Sequence, residues 1–528
     1  MTAFPADTLI QALQSPQAYP HAVDEVRLLE THISWVLLTG EFAYKLKKPV
    51  SLGFVDFSTL DRRRFFCDEE IRLNRRLAPD LYLDVVSITG TAEAPRIAGN
   101  GEPIESAVRM RQFPQEALLS RAIAEHRLTA AHIDALAAEI AAFHTAIEAA
   151  TADQLYGEPD RVHHPVAENF RHVAPLVETE STRIRLAALE EWAEREFEQR
   201  RETFATRKAA GCVRECHGDM HLGNMLLEGD RVLVFDGIEF NADLRWIDVL
   251  SEVAFTVMDL EDRGRPDFAR RLLNAYLEHT GDYAGLAVLP YYLCYRAMVR
   301  AKVAAIRFGQ PGLDAAEQAR CREKFESYLA LAEHYARARP PMLVITHGYS
   351  GSGKTYGTQP LVEQRGFVRL RSDIERKRLA GVKAHERADA SIASGLYTPE
   401  ITARTYARLA ELATSLLRAG KSVIVDATFL KRSDRERFRA LTTRENVPFR
   451  LLSFEAPEPT LRARIESRRH ENRDASDATL AVLEHQQQTA DPLAPDELPA
   501  TIPVTTGHPN FSTELVRHIA AIEPRPPK

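Results

Sequence analysis

The sequence predicts two different modules in one chain, an α+β module with two lobes followed by an α/β module built on a doubly wound parallel sheet. Three observations support this prediction. The chain has 528 residues, which is too long for one hydrophobic core, since compact domains contain roughly 100–200 residues. A helical, charged stretch stops at Pro340 and Pro341, where a new strand begins. After this point strand-like and helical segments alternate, which is typical of a parallel sheet.

These observations predict one domain over residues 1–338 and a second over residues 339–528. A strand-rich part changes to a long helical region near residues 113 and 114. The first domain is therefore expected to have a small lobe over residues 1–114 and a large lobe over residues 115–338.

The composition is that of a globular protein, with 45% apolar and 27% charged residues, and it excludes a fibrous or disordered chain. The net charge of -7 gives no basic field for nucleic acid, which favours a small-molecule substrate. The first residues lack the order of a secretion signal, and no apolar run reaches the length that crosses a bilayer. We expect a cytoplasmic protein without a membrane partner.

The five cysteines are an odd number scattered over a long chain, and we expect them to be reduced rather than disulfide-bonded. Cys212 and Cys216 stand close to His217 and His221, which raises the alternative of a metal site. Their spacing fits no common zinc pattern, so packed thiols are the preferred interpretation.

A short apolar strand candidate, residues 342–346, precedes a run with the spacing G-x-x-x-x-G-K-T. In such a run backbone N–H groups converge on phosphate oxygens, and the following helix directs its positive end at the anion. Lys354 would reach the β and γ phosphates, and Thr355 would bind Mg²⁺. The residues expected to hold the nucleotide are Gly348, Ser350, Gly351, Ser352, Gly353, Lys354 and Thr355. The pattern predicts binding of ATP or GTP.

Four further strand candidates follow, with helical segments between them: residues 367–371, 423–426, 450–454 and 502–505. Asp373 and Asp426 stand at the carboxyl ends of two of these strands, where parallel sheets bind ligands. Asp373 could act as a base toward a substrate hydroxyl, with Arg376 one turn further facing an anion. The alternative is that Asp373 or Ser372 only caps a helix. Asp426 is expected to organise Mg²⁺.

Three arginines lie on one predicted helix over residues 460–470, namely Arg464, Arg468 and Arg469. They could form a mobile lid that brings cations to the transferred phosphate. The alternative is a solvated basic face.

The segment 342–525 resembles the small P-loop kinases of the AAA_33, zeta-toxin and polynucleotide-kinase type. The motifs that carry the resemblance are residues 348–355, 372–376 and 425–428. The resemblance implies that Asp373 is the general base and that Arg376 contacts substrate or phosphate. These families act on hydroxyls of different substrates, so the family does not name the acceptor.

A second set of polar residues runs from His217 to Asn224 and is followed by Asp236 and Gly237 at the end of a strand candidate. The spacing is that of a phosphotransfer site, with a base five residues before an asparagine. Asp219 would orient or deprotonate the acceptor hydroxyl, and Asn224 and Asp236 would bind Mg²⁺. His217 is expected to orient this loop. The alternative is that these residues only form turns.

A hairpin predicted near Gly40 carries Lys45 and Lys47 on one face. Either lysine could contact the α and β phosphates; Lys47 is preferred because residues 43–47 best match an apolar strand that ends in lysine. Glu70, with Glu69 second, is the expected ion-pair partner on the following helix. The alternative is an exposed basic strand beside a solvated helix.

Residues 31–300 resemble the aminoglycoside phosphotransferase and choline-kinase superfamily, which implies a bilobal, protein-kinase-like fold. The run from His217 to Asn224 is its specific element. One departure is that no G-x-G-x-x-G loop precedes Lys47, only Gly40 in a hairpin. The segment 108–114, including Met110, is the expected linker between lobes, whose backbone would bind adenine.

The whole chain resembles bacterial proteins described as bifunctional aminoglycoside phosphotransferase and ATP-binding proteins. The leading hypothesis is a bifunctional enzyme in which both domains transfer the γ-phosphate of ATP, with Mg²⁺, to hydroxyls of small molecules. One alternative is that one domain only binds ATP and regulates the other. Another is a kinase of nucleic-acid 5′-hydroxyls in the second domain, which the acidic charge opposes.

Overall fold

The computed structural model describes residues 6–53, 55–308, 313–382, 398–471, 476, 478–506 and 510–522; the side chains of residues 468–471 and 522 lie outside this description. The chain forms two compact units, neither of them one continuous segment. The first comprises Met1–Pro165 with Phe204–Asp259, and the second comprises Val166–Thr203 with Leu260–Lys528.

The strands of the described residues follow one another along the whole chain. They are β1 (Arg27–Glu30), β2 (Ser34–Leu38), β3 (Phe42–Lys47), β4 (Tyr82–Gly90), β5 (Pro95–Ile97), β6 (Glu105–Arg111), β7 (Val213–Glu215), β8 (Met225–Glu228), β9 (Arg231–Val234), β10 (Trp246–Asp248), β11 (Leu343–His347), β12 (Val368–Arg371), β13 (Val423–Asp426), β14 (Phe449–Phe454) and β15 (Thr501–Val504).

The α-helices are concentrated between β6 and β11. They are α1 (Ala6–Leu13), α2 (Leu60–Asn74), α3 (Leu119–Ala124), α4 (Ala130–Ala146), α5 (Pro159–Val173), α6 (Glu180–Ala209), α7 (Val249–Asp262), α8 (Pro266–Thr280), α9 (Leu289–Phe308), α10 (Ala315–Ala336), α11 (Lys354–Pro360), α12 (Ser372–Leu379), α13 (Pro399–Arg418), α14 (Arg432–Glu445), α15 (Glu458–Glu471), α16 (Leu480–Thr489) and α17 (Phe511–Ile522). No helix in the described ranges is long and apolar enough to cross a membrane.

The first unit contains an antiparallel sheet of six strands in the order β1-β2-β3-β6-β4-β5. The predicted hairpin is confirmed, because β2 and β3 pair antiparallel with Val36 opposite Lys45. Helix α2 begins at the cap Thr59, whose side chain accepts a hydrogen bond from the Arg62 amide. Residues 108–111 belong to strand β6, so the connection that leaves the sheet begins at Gln112, later than the predicted start of the linker.

The second unit contains the predicted parallel sheet, with five strands in the order β12-β13-β11-β14-β15. The four later strand candidates agree with the observed strands to within one residue at each end. The central strands β11 and β13 are largely apolar on both faces because helices cover them. The core of the sheet includes Val344, Ile424 and Leu452, each fully buried. The carboxyl ends of β11, β12 and β13 therefore lie side by side.

Helix α13 spans Pro399–Arg418, and Gly420, two residues later, has a φ of +72°. The five cysteines all lie in the described part of the chain and all are free thiols, with Cys67, Cys216 and Cys294 buried.

Candidate active sites

The glycine-rich loop of the second unit connects β11 to α11 in a conformation that its sequence requires. Gly348 has a φ of +140°, and a Cβ atom on it would lie 2.3 Å from the carbonyl oxygen of Phe454. Only glycine fits this combination of dihedral angle and close approach. The Lys354 ammonium donates hydrogen bonds to the carbonyls of Gly348 and Tyr349 at 2.9 and 2.8 Å. The lysine therefore lies over the loop that precedes it.

Two residues predicted to bind Mg²⁺ meet at this loop. The Thr355 hydroxyl donates a 2.7 Å hydrogen bond to the carboxylate of Asp426. Asp426 ends β13 and is 5% exposed. A hydroxyl and a carboxylate are the oxygen ligands that Mg²⁺ prefers, so the donor set at this position fits the ion.

The Ser372 and Asp373 pair opens helix α12 directly after β12. The N-cap position of this helix is Arg371, without a side-chain capping bond, so Ser372 and Asp373 lie in the first turn. Arg376 is 6% exposed and donates a hydrogen bond to the Thr402 hydroxyl at 3.0 Å. Asp373 and Arg376 therefore lie one turn apart on a helix that begins at the carboxyl end of the sheet.

A cavity of about 870 Å³ brings these residues together. Its lining includes Ser350, Gly351, Gly353, Lys354, Thr355, Asp373, Arg376, Asp426 and Arg464. Arg464 donates a 3.2 Å hydrogen bond to the Gly351 carbonyl, so its guanidinium contacts the loop. Arg468, the second arginine of the predicted lid, has its side chain outside the described residues.

Gln486 of α16 is a site residue that the sequence analysis missed. Its side-chain oxygen accepts a hydrogen bond from the Ser350 amide at 3.0 Å, and its nitrogen donates to the Ser350 hydroxyl at 3.1 Å. It lies 136 residues from its partner, and no spacing rule connects two positions so far apart.

In the first unit, His217 orients the loop that carries Asp219. Its Nε2 lies 2.8 Å from the Phe235 carbonyl, and its Nδ1 accepts a bond from the Asp219 amide at 3.2 Å. This pattern requires the proton on Nε2. Burial lowers the pKa of His217, so the ring is neutral and Asp219 remains the candidate base.

Asn224 contacts Asp219 directly, as its side-chain nitrogen donates to the backbone carbonyl and to the carboxylate of Asp219, both at 3.0 Å. The Asp219 carboxylate also lies 3.4 Å from Nε2 of His221. The predicted base and the predicted metal-binding asparagine are thus neighbours. An amide oxygen and the Asp236 carboxylate are hard donors that suit Mg²⁺.

Asp236 adopts a left-handed conformation with a φ of +64°, which is uncommon for residues other than glycine. Two buried side chains hold this turn. The Asp236 amide donates to the Tyr82 hydroxyl at 3.0 Å, and the Gly237 amide donates to Oδ1 of Asn74 at 2.7 Å. Neither Tyr82 nor Asn74 was predicted from the sequence, since both precede Asp236 by more than 150 residues.

Lys45 and Lys47 lie on one face of β3, as predicted, and both bind Glu70 of α2. Lys45 also binds the carboxylate of Asp236, whereas Lys47 binds Glu239. The Lys47 side chain is fully buried, while that of Lys45 is 13% exposed. Burial alone would raise the pKa of Glu70, but both lysines outweigh it and lower the pKa to about 2. Glu70 is therefore an anion shared by two cations, and Glu69 lies outside this cluster.

Behind the loop, Glu252 of α7 fixes the backbone next to Asp219. One carboxylate oxygen accepts a bond from the Gly218 amide at 2.7 Å, and the other lies 2.9 Å from Nε2 of His144. The ligand atoms of His144, Cys216 and Glu252 lie within 4.8 Å of one another and could hold a metal ion. The set differs from the cysteine and histidine cluster considered in the sequence, of which it contains Cys216 alone.

Met110 lies in β6 opposite Ala43 of β3, and its side chain is 6% exposed. The backbone N–H of Gln112, two residues later, donates a hydrogen bond to the Glu41 carbonyl at 2.9 Å. The side-chain oxygen of Gln112 accepts a hydrogen bond from the Gly40 backbone N–H. The segment that follows Met110 is therefore tied to the β2–β3 turn.

The fold and these two sites define an enzyme that transfers phosphoryl groups, with a protein-kinase-like domain and a P-loop kinase domain. Two family models match the chain, one described as a phosphotransferase enzyme family over residues 67–289 and one described as an AAA domain over residues 343–493.

The chain is 30% identical over 404 residues to the uncharacterized protein Rv2004c of Mycobacterium tuberculosis (strain ATCC 25618 / H37Rv), covering 76% of this chain and 78% of that protein. The same values hold for the uncharacterized protein Mb2027c of Mycobacterium bovis. The chain belongs to the same family as these mycobacterial proteins.

Solved structures similar to the chain include two kinases. Amicoumacin kinase hAmiN is 13% identical with a TM-score of 0.39, over 62% of this chain and 93% of that one. A gluconokinase from Sinorhizobium meliloti 1021 is 20% identical with a TM-score of 0.26, over 35% of this chain and 95% of that one.

Proposed function

We propose that the chain is a bifunctional kinase, in which residues 1–338 and residues 339–528 each transfer the γ-phosphate of ATP to a hydroxyl of a small molecule in the cytoplasm. The observation that carries the proposal is that each unit groups a carboxylate base, a lysine and oxygen donors for a cation. In the second unit all three line one cavity.

At the second site, the loop amides and Lys354 bind the phosphates, and Arg464 adds a cation beside the same loop. Thr355 and Asp426 hold Mg²⁺, which neutralises charge on the transferred group. Asp373 accepts the proton of the acceptor hydroxyl, and Arg376 orients the acceptor or the phosphate.

At the first site, we assign the phosphate contact to Lys45 in preference to Lys47. Lys45 binds Asp236 and remains partly exposed, whereas Lys47 is enclosed between Glu70 and Glu239. Both carboxylate partners of Lys47 are buried, which leaves this lysine no path to a phosphate, whereas the Asp236 partner of Lys45 is 41% exposed. Lys47 instead keeps Glu70 in position, and Asp236 and Asn224 hold Mg²⁺ beside the base Asp219. The backbone after Met110 remains the proposed contact for adenine.

The experiment that tests the proposal uses the full chain and its Asp219→Ala and Lys354→Ala variants. Each protein is incubated with ATP, Mg²⁺ and a metabolite extract that contains sugars, aminoglycosides and nucleosides, and the products are read by the mass of an added phosphate. We expect each variant to lose a different product. If either variant retains every product, two working sites are not present.

A second candidate function is that the first domain binds ATP and regulates the second. The observation that favours it is the turn between β2 and β3, which contains Gly40 as its only glycine and lacks a glycine-rich loop. In that case only Lys354→Ala abolishes transfer, and Asp219→Ala leaves every product unchanged.

A further inference from the structure

Helix α8 covers the open edge of the P-loop sheet. Among the strands that the structure describes, β12 is the outer strand of this sheet and pairs with β13 alone. On its other side, Oδ1 of Asn274 accepts a bond from the Arg369 amide at 2.8 Å, and Nδ2 of Asn274 donates to the Phe367 carbonyl at 3.2 Å. One carboxamide thus satisfies two of the backbone groups that a further strand would use.

Glu278, one turn further along α8, accepts hydrogen bonds from Arg369 and Arg371, both at 3.4 Å. The three side chains are between 8% and 11% exposed. Burial by itself would raise the pKa of Glu278, but Arg371 and Arg369 outweigh it and lower the pKa. Glu278 is therefore a buried anion, and its removal leaves two buried guanidinium groups without their shared partner.

Arg369 and Arg371 connect α8 to the helix after the nucleotide loop and to the segment that carries Asp373. Arg369 donates hydrogen bonds to the Thr355 carbonyl at 3.0 Å and to the Gln359 side chain at 2.9 Å, both on α11. Arg371 lines the cavity and immediately precedes Ser372 and Asp373. The α8 contacts thus reach the helix that carries Thr355 and the strand that presents Asp373.

The C-terminal end of α8 also packs closely against Arg378 of α12. Arg378 of α12 donates a 2.7 Å bond to the Glu278 carbonyl. Gly281 ends α8 with a φ of +76°, and a Cβ atom there would lie 2.7 Å from Nε of Arg378. Glycine is therefore required both for the turn and for the space that Arg378 occupies.

We propose that Asn274 and Glu278 are positioning residues of the P-loop site, which hold the strand that presents Asp373 and the helix that carries Thr355. The proposal rests on nucleotide binding at that site, as in the proposed function. Helix α8 lies inside residues 67–289, which match the phosphotransferase family model. A helix from the first kinase segment thus completes the site of the second, and residues 339–528 do not contain every part of it.

The experiment measures binding of a fluorescent ATP analogue with Mg²⁺ to the full chain. The component that disappears in the Lys354→Ala variant reports the P-loop site, and the component that remains reports the first site. Glu278→Gln is the main variant, and Asn274→Ala removes the strand contacts without leaving a buried charge unpaired. Asp267→Asn is the matched control, since Asp267 is an acid on α8 whose ion pair with Arg265 is local.

We expect Glu278→Gln to weaken the Lys354-dependent component about tenfold, a size typical of coupling between connected sites. Asn274→Ala should weaken it in the same direction, and Asp267→Asn should leave it unchanged. The first-site component should stay constant in all three variants. A lower melting temperature with unchanged affinity in both Glu278→Gln and Asn274→Ala would overturn the positioning role, because a purely structural contact changes the folded fraction and leaves the affinity as it was.

The chain without substitutions distinguishes failure of the positioning role from failure of the proposed function. If the chain without substitutions shows no Lys354-dependent component, the P-loop site does not bind ATP, and both the second phosphotransfer and the positioning role are excluded. If that component is present and neither Glu278→Gln nor Asn274→Ala weakens it, the positioning role alone is excluded.

Discussion

Lys47 and Glu239 form an ion pair inside the first unit, with 0% and 4% of their side chains exposed. Glu70 completes the cluster by binding Lys47 and Lys45 together. Lys47 therefore balances two buried carboxylates. Breaking a buried pair on one side leaves an uncompensated charge, which is far more destabilising than losing a surface ion pair.

This relationship predicts different outcomes for two neighbouring lysines. Lys47→Met should lower the free energy of unfolding by about 3–5 kcal/mol, because Glu239 loses its cation and Glu70 loses one of its two. Lys45→Met should cost less stability and should abolish Asp219-dependent phosphotransfer. Urea denaturation and product mass, both measured in the Lys354→Ala chain, distinguish the two variants. If Lys47→Met is stable and inactive while Lys45→Met is active, the assignment of the phosphate contact is reversed.

Asp426→Asn should weaken Mg²⁺ binding at the P-loop site. The Thr355 hydroxyl lies 2.7 Å from the Asp426 carboxylate, so one ion could bind both oxygens. A neutral amide is a weaker ligand for Mg²⁺ than a carboxylate. We expect the Mg²⁺ requirement for nucleotide binding to rise by more than about tenfold, since even groups behind metal ligands change affinity by roughly 10–100-fold. Titration of the fluorescent ATP analogue at fixed nucleotide and varied Mg²⁺ measures it. An unchanged Mg²⁺ midpoint would exclude Asp426 as a ligand.

Tyr82→Phe should disturb Asp236 without unfolding the first unit. The substitution removes only the hydroxyl that accepts the Asp236 amide, at a cost of about 1 kcal/mol in stability. The left-handed turn of Asp236 then loses one of its two supports, and we expect first-site affinity for Mg²⁺ to fall about tenfold. Tyr44→Phe, a buried tyrosine of the same sheet, is the matched control. Equal Mg²⁺ midpoints for both variants would contradict this role for Tyr82.

His347, at the end of β11, predicts a pH dependence of stability. Burial, with Arg435 and Lys354 nearby, lowers the pKa of His347 from 6.5 to about 4. Between these values the unfolded chain binds a proton that the folded chain does not, so stability is lost as the pH falls through this window.

His347→Gln should therefore lose less stability between pH 7.5 and 5.0 than the unsubstituted chain, by about 1–2 kcal/mol. Urea midpoints followed by circular dichroism at both pH values provide the comparison. The exposed His518→Gln serves as control and should behave as the parent. Parallel losses in His347→Gln and the parent would show that another group titrates.

Local patterns predicted the fold well where the physical cause is itself local. The alternation in β3 indicated that Lys45 and Lys47 share a face, and the spacing from Gly348 to Thr355 predicted a loop between a strand and a helix. Which of the two lysines contacts the phosphate could not be predicted in this way, because the burial of Lys47 depends on Glu239, which lies 192 residues away. Periodicity gives the face of a strand, whereas the depth of burial is decided by which distant segment covers it.

The same limit explains the residues that the sequence analysis missed. Gln486, Tyr82 and Asn74 have side chains that bind backbone groups far along the chain. A backbone amide has the same chemistry at every residue, so nothing in the sequence marks the partner that such a side chain will meet. Motifs such as His217 to Asn224 are detectable because both partners fall within one short segment.

The contact of Glu278 with Arg369 and Arg371 also bears on how such chains can change in evolution. A recombination event near residue 338 would exchange one P-loop segment for another while retaining α8 from the original gene. The new strand would then pack against Glu278, although it need not carry arginines at positions 369 and 371. We expect positions 278, 369 and 371 to be inherited as a set in related chains, and exchanges that separate them to be rare.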